Sequence, residues 1–186
     1  MNNKASIPFG IPIGKDYFNV IAYSNDEITN PNTKKYSYLK NGDKKIFCGL
    51  RYQCVEYVRR WLILNYGISF EQIDLAYKLY TSDNVKFKNI WTNNSITYTK
   101  CPNGSDTSPK VGSVLLWDKA DNYPTGHVAI VSKIDDNYIY ISEQNWNNVL
   151  WRKPYSRKIP IKKINNKIIL NDDNQYNLVI LGWLNL

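Results

Sequence analysis

Two apolar runs narrow the fold more than any other feature: Val128-Ala129-Ile130-Val131-Ser132-Lys133-Ile134 and Tyr138-Ile139-Tyr140-Ile141-Ser142, separated only by Asp135-Asp136-Asn137. Two β-forming runs joined by so short a polar link read as an antiparallel hairpin. If the link is a three-residue loop, Ile134 faces Tyr138, and the register sets Ala129 opposite Glu143 and His127 opposite Asn145. His127 and Glu143 then share a face as diagonal neighbours, roughly 7–8 Å apart at the backbone. A one-residue slip would send Glu143 to the other face.

His127 is the only histidine in the chain, so imidazole chemistry has no other source. An acid beside it fixes the ring's tautomer and steadies the imidazolium, leaving the second ring nitrogen for a nucleophile. The candidate nucleophile is Cys54, in Tyr52-Gln53-Cys54-Val55-Glu56-Tyr57-Val58-Arg59-Arg60-Trp61-Leu62. Val55, Val58 and Leu62, with Trp61 beside them, have the spacing of one apolar helix face, and Gly67 is a natural stop. Cys54 therefore belongs to the first helical turn, where unpaired N–H groups and the positive end of the helix dipole favour a thiolate.

At 186 residues, 43% hydrophobic and 14% aromatic, the chain suits a single domain over residues 1–186. No apolar run reaches the roughly 18 residues of a membrane span. The stretch from Met1 to Gly14 is broken by Pro8 and Pro12 and fails as a secretory signal, so a cytoplasmic location is expected. Three cysteines, Cys48, Cys54 and Cys101, form no CxxC pair; neither a disulfide framework nor a metal site is expected, and no cofactor is called for. The net charge of +8 raises a polyanion partner as one alternative, but no nucleic-acid motif accompanies the lysines.

Along the chain, Pro8 to Tyr23 reads as a loop and a short strand or extended arm, and Asn25 to Gly42 as an exposed loop. Glu71 to Leu79 has helical spacing. Thr81 to Pro109 reads as a long polar loop, Val111 to Trp117 as a buried strand, and Tyr176 to Trp183 as the closing strand. A helix early and antiparallel strands late make an α+β domain.

These parts fit acyl transfer from an amide to a thiol, followed by hydrolysis of the thioester. Cys54 supplies the thiolate, His127 the base and later the acid, and Glu143 the orienting carboxylate; Asn145 is placed to hold the ring or the acid. The Cys54 backbone N–H is a donor for the oxyanion, with the Gln53 side chain a further candidate. Arg59 is either a surface helix arginine or an anchor for a substrate carboxylate.

Beyond the triad, Gln53 to Arg60, Leu64-Asn65-Tyr66-Gly67, Pro102-Asn103-Gly104-Ser105, Trp117-Asp118-Lys119, Thr125 to Ile130, Glu143-Gln144-Asn145 and Leu181-Gly182-Trp183 occur in one order. Together they closely resemble the amidase domain of the glutathionylspermidine synthetase/amidases, within the CHAP family of cysteine, histidine-dependent amidohydrolases/peptidases. The resemblance runs from Pro8 nearly to the C-terminus; Tyr52 stands where the family has tryptophan. It implies a papain-like fold, the nucleophile starting a helix packed on an antiparallel sheet, with Cys54, His127 and Glu143 as its three members. It also implies that Arg59 meets the glutathione portion of a glutathione–polyamine conjugate, hydrolysed to glutathione and spermidine without metal or nucleotide. The chain ends where a synthetase domain would begin, so ATP-dependent ligation is not expected. Two other readings are carried forward: a peptidoglycan peptide hydrolase and a polyanion-binding module without catalysis.

Overall fold

A computed structural model describes residues 7–26 and 35–186. In chain order the elements are β1 (Pro12–Lys15), β2 (Ile21–Tyr23), β3 (Tyr36–Asn41), β4 (Lys44–Leu50), α1 (Cys54–Tyr66), β5 (Ile68–Phe70), α2 (Lys78–Thr81), β6 (Phe87–Asn89) and β7 (Ser95–Ile96). There follow β8 (Thr99–Pro102), β9 (Val114–Trp117), β10 (His127–Ile134), β11 (Tyr138–Ser142), β12 (Arg157–Ile164), β13 (Lys167–Leu170) and β14 (Ile180–Asn185). Seven strands form one antiparallel sheet in the order β13-β12-β11-β10-β9-β14-β8. Both faces are covered. Val114, Leu116, Val128 and Ile130 pack with Val55, Val58, Trp61 and Leu62 of α1, while Leu115, Trp117, Ala129, Val131, Ile139 and Ile141 form a second core.

Helix α1 begins and ends where the residue types require. Gly67 takes the left-handed conformation (φ 65°) and its N–H bonds the Ile63 carbonyl. All ten residues from Cys54 to Ile63 are buried, because the sheet lies on one side and β4 and β5 on others. The β3–β4 ribbon corrects the expectation of an exposed loop from Asn25 to Gly42: Tyr36–Asn41 is a strand, and residues 27–34 of that stretch lie outside the described residues.

Three further expectations change. In place of the helix expected from Glu71 to Leu79 there is one short helical turn at Lys78–Thr81, and the Phe70 and Glu71 carbonyls accept from Arg59. The polar stretch from Thr81 to Pro109 contains β6, β7 and β8, which are too short to show alternation and are held by pairing with β5 and β14. The arm from Pro8 to Tyr23 is an antiparallel ribbon of β1 and β2, its turn organised by Asp16 Oδ1, which accepts from the N–H groups of Phe18 and Val20. Among the described residues no helix is long and apolar enough to cross a membrane.

The central hairpin forms with one adjustment. Ile134 faces Ile139 and not Tyr138, because Asp135 Oδ1 accepts from the N–H groups of Asn137 and Tyr138 and widens the turn. A bulge between Val131 and Lys133 absorbs the extra residue, so Val131 faces Ile141 and Ile130 faces Ser142, in the expected register. The end of the hairpin that carries His127 is thus in phase.

Gly126, immediately before His127, has φ 61°, and a Cβ there would lie 2.8 Å from the Trp117 carbonyl oxygen. Gly42 also has positive φ (58°) but open space around it. Gly42→Ala should therefore cost about 1 kcal/mol from backbone strain alone. Gly126→Ala should cost at least about twice that, since the clash adds to the strain. Urea unfolding of the two variants checks the order.

Candidate active site

Cys54 opens α1 and is 7% exposed, and the preceding Gln53 is extended and gives the helix no side-chain cap. The first-turn N–H groups are thereby left open to an anion. His127 opens β10 and Glu143 follows β11 directly; both are buried. His127 Nε2 lies 2.8 Å from Glu143 Oε2. Nδ1 is buried without a formed hydrogen bond, and the neighbouring Cys54 is among the groups that raise the ring's basicity.

The charges explain the tautomer. Burial on its own would raise the Glu143 pKa, but Arg157 and His127 outweigh it and hold the carboxyl at about 2. The ionised carboxylate only accepts, so in the neutral ring Nε2 carries the hydrogen and Nδ1 keeps its lone pair. Burial would likewise depress the imidazole, yet Cys54 and Glu143 reverse the effect and raise it to about 9. Trp146 (4.6 Å between ring centroids), Trp117 (5.4 Å) and Tyr123 (6.4 Å) surround the ring.

Asn145 does not reach the ring or the carboxylate. It stands in the left-handed region (φ 54°), and its Nδ2 donates to Gln53 Oε1 at 2.7 Å while the Tyr123 hydroxyl donates to its backbone carbonyl. This contact fixes the Gln53 amide with its oxygen occupied and its NH2 group without a partner among the described residues, on the wall of the cleft that also exposes Cys54. The cleft encloses about 560 Å³, and Tyr123, Trp146 and Tyr176 add aromatic walls.

Arg59 is fully buried. Its Nε, Nη1 and Nη2 donate to the carbonyls of Phe70, Cys48 and Glu71, and the Phe70 ring lies 4.3 Å from the guanidinium carbon. Each guanidinium nitrogen is engaged within the protein, so here no free fork faces a substrate carboxylate; the side chain ties β4 and β5 to α1. Burial pushes its pKa down to about 10.

Sequence reasoning missed two polar assemblies. Gln144 Nε2 donates to the Gln53 carbonyl (3.3 Å) and to Glu56 Oε2 (2.9 Å), and its Oε1 accepts from Arg60 and the Tyr23 N–H. Glu56 also pairs with Arg60 (2.7 Å) and accepts from Ser37. The i,i+4 spacing of Glu56 and Arg60 was the available signal. The second assembly is Ser156 and Arg157 on Glu143, with Asp172 behind; no local pattern marks it. Among the described residues no group of three or more His, Cys, Asp or Glu side chains is placed to hold a metal ion.

A helix-start cysteine facing an imidazole and carboxylate at the end of an antiparallel sheet is the layout of the papain-like thiol hydrolase folds. Residues 45–145 match the CHAP domain, and the chain belongs to the CHAP family of cysteine, histidine-dependent amidohydrolases/peptidases. It is 30% identical over 188 residues to the bifunctional glutathionylspermidine synthetase/amidase of Escherichia coli, covering 95% of this chain and 29% of that protein. It is 28% identical over 185 residues to the trypanothione synthetase of Crithidia fasciculata, covering 98% of this chain and 27% of that protein. The chain thus spans less than a third of the length of these curated relatives.

The site also sets a pH window for stability. The Glu143 pKa is depressed from 4.5 to about 2, so its contribution is present above about 4.5 and lost as pH falls through about 2. The His127 pKa is raised from 6.5 to about 9, so its contribution is full below about 6.5 and lost as pH rises through about 9. Thermal melts should show both contributions complete between about pH 4.5 and 6.5 and a decline on the alkaline side. His127→Gln should flatten that decline; an unchanged alkaline slope would contradict the assignment.

Proposed function

We propose that this chain is a thiol amidase that hydrolyses a glutathionylspermidine-like conjugate to glutathione and spermidine, without a cofactor. The observation that carries the chemistry is the placement of Cys54, on the cleft wall, beside the buried His127, whose other ring nitrogen meets Glu143. The Cys54 thiolate attacks the amide carbon, and the carbonyl electron pair moves onto oxygen. The Cys54 backbone N–H and the Gln53 NH2 receive that oxyanion, the latter aimed by Asn145. Imidazolium Nδ1–H passes its proton to the amine nitrogen as the C–N bond breaks, which leaves a thioester. Nδ1 then takes a proton from water, whose oxygen attacks the thioester; collapse releases the acid and the thiol.

The substrate assignment is supported by likeness to the synthetase/amidase over nearly the whole chain, and by the cleft's chemistry. Tyr123, Trp146 and Tyr176 offer aromatic faces, and Asp74 at the exposed rim a carboxylate, to a polyamine cation. A small conjugate in a reducing, cytoplasmic setting suits a free thiol nucleophile. Arg59 contributes by fixing the cleft's floor through its backbone contacts. The second reading, cleavage of cell-wall peptides, is favoured by the net charge of +8, which suits an anionic polymer.

Mass spectrometry of glutathionylspermidine incubated with wild type and Cys54→Ala tests the proposal. Wild type should release spermidine and glutathione, and Cys54→Ala should not. Equal release by both would reject the thiol mechanism. An intact conjugate beside peptide release from wall suspensions would move the activity to the second reading. Gln53→Ala should lower kcat about 100-fold as an oxyanion donor is removed, and an unchanged kcat would remove Gln53 from that role.

A further inference from the structure

Arg157 and Asp172 have no part in the steps above, yet both are built into the acid end of the site. Arg157 opens β12, one strand beyond the strand that leads to Glu143, and faces Ile141. Its Nε lies 2.7 Å from Glu143 Oε1 and its Nη2 3.3 Å from Oε2, so the guanidinium clasps both carboxylate oxygens. Its Nη1 bonds Asp172 Oδ1, and Asp172 Oδ2 accepts from Trp117 Nε1 at 2.9 Å. The guanidinium carbon sits 4.2 Å from the centroid of the Trp146 ring, which also flanks His127 and walls the cleft. Glu143 Oε2 is therefore shared between His127 Nε2 and Arg157 Nη2.

We propose that Arg157, held by Asp172, is a positioning residue that sets how strongly Glu143 acts on His127, by sharing the carboxylate's charge and fixing its orientation. The proposal rests on the reading of Cys54, His127 and Glu143 as the reacting array. Alone in a buried site, a carboxylate 2.8 Å from the ring would stabilise imidazolium so strongly that the ring would give up its proton reluctantly. A guanidinium on the same carboxylate opposes this, because it occupies acceptor capacity and places a like charge one group away from imidazolium. The ring stays basic enough to take the thiol proton and acidic enough to deliver it to the leaving amine.

The charged and titratable groups facing His127 are few. Glu143 comes from the end of β11, Cys54 from α1 and Tyr123 from the loop before β10, with Arg157 behind Glu143 and Asp172 acting through Arg157. Burial, with Cys54, Tyr176 and Glu143 nearby, raises the Tyr123 phenol well above its ordinary value, so it stays neutral while the ring titrates.

Because His127 is the only histidine, its imidazole in untagged protein can be titrated by NMR as a single ring, with no substrate present. In a Cys54→Ala background, where no thiol titrates beside the ring, Arg157→Gln should raise the midpoint by about one pH unit. Arg157→Lys keeps a charge but loses the fork, and should raise it by less. With Glu143→Gln also present, Arg157→Gln should move the midpoint far less, since the carboxylate is the link; an undiminished shift would overturn the proposal. Should Arg157→Gln fail to fold, Arg157→Lys carries the test. An unchanged or lowered midpoint in a folded variant also overturns the proposal, whatever the substrate. Failed conjugate hydrolysis with the expected shift rejects the substrate and leaves the role of Arg157 standing.

Discussion

The burial of one carboxylate, Glu143, constrains the structure around the site. A charge taken almost wholly out of water is tolerable only when paired and hydrogen-bonded, and Glu143 receives bonds from His127, Ser156 and Arg157. Those partners come from β10, from the residue before β12 and from β12 itself, so compensating one charge requires three adjacent strands to be in register. Asp172, beyond β13, draws a fourth segment in by its bond to Arg157. The buried apolar core that includes Trp117, Ile139, Ile141 and Ile159 lowers the local dielectric and strengthens these bonds. Sheet packing and site electrostatics are here one arrangement.

On the other side of the sheet the same logic governs α1. A helix buried along its first ten residues has no solvent face on which to leave Glu56, Arg59 and Arg60. Glu56 and Arg60 neutralise each other and share Gln144, while Arg59 satisfies three backbone carbonyls. The bonds to Gln144 and to the carbonyls of Cys48, Phe70 and Glu71 also tie the N-terminal half of α1 to neighbouring elements. Cys54 is positioned by a helix that cannot rotate without breaking buried polar contacts. Gly49 belongs to the same packing, since a Cβ there would come within 2.8 Å of Arg59 Nη1.

What could be read from the sequence was short-range. The helix-start cysteine, the Gly67 stop and the hairpin between His127 and Ser142 each follow from a few adjacent residues. The hairpin expectation erred by one residue at the turn, where the Asp135 side chain extends the loop, but the bulge near Ser132 returned the strands to register before they reached His127. The arginines were misjudged for a different reason. Arg59 is held by the main-chain carbonyls of Cys48, Phe70 and Glu71, acceptors that every residue carries and that no side-chain pattern marks. Arg157 was hidden more deeply, as one basic residue in a basic run, distinguished only by a partner brought to it by sheet pairing.

Glu143, Gln144 and Asn145 show how the two halves are joined. Glu143 holds His127, Gln144 holds the Gln53 carbonyl together with Glu56, and Asn145 holds the Gln53 side chain. In an extended strand the first and third of these would point the same way. The left-handed backbone at Asn145 turns the chain so that its side chain reaches the helix start instead of the imidazole. Three consecutive residues thereby address the His127 imidazole, the main chain before Cys54 and the Gln53 amide. A shift of this segment would disturb the tautomer of His127, the seat of Cys54 and the aim of Gln53 together, so the distance from thiol to imidazole depends on the conformation of the segment that joins them.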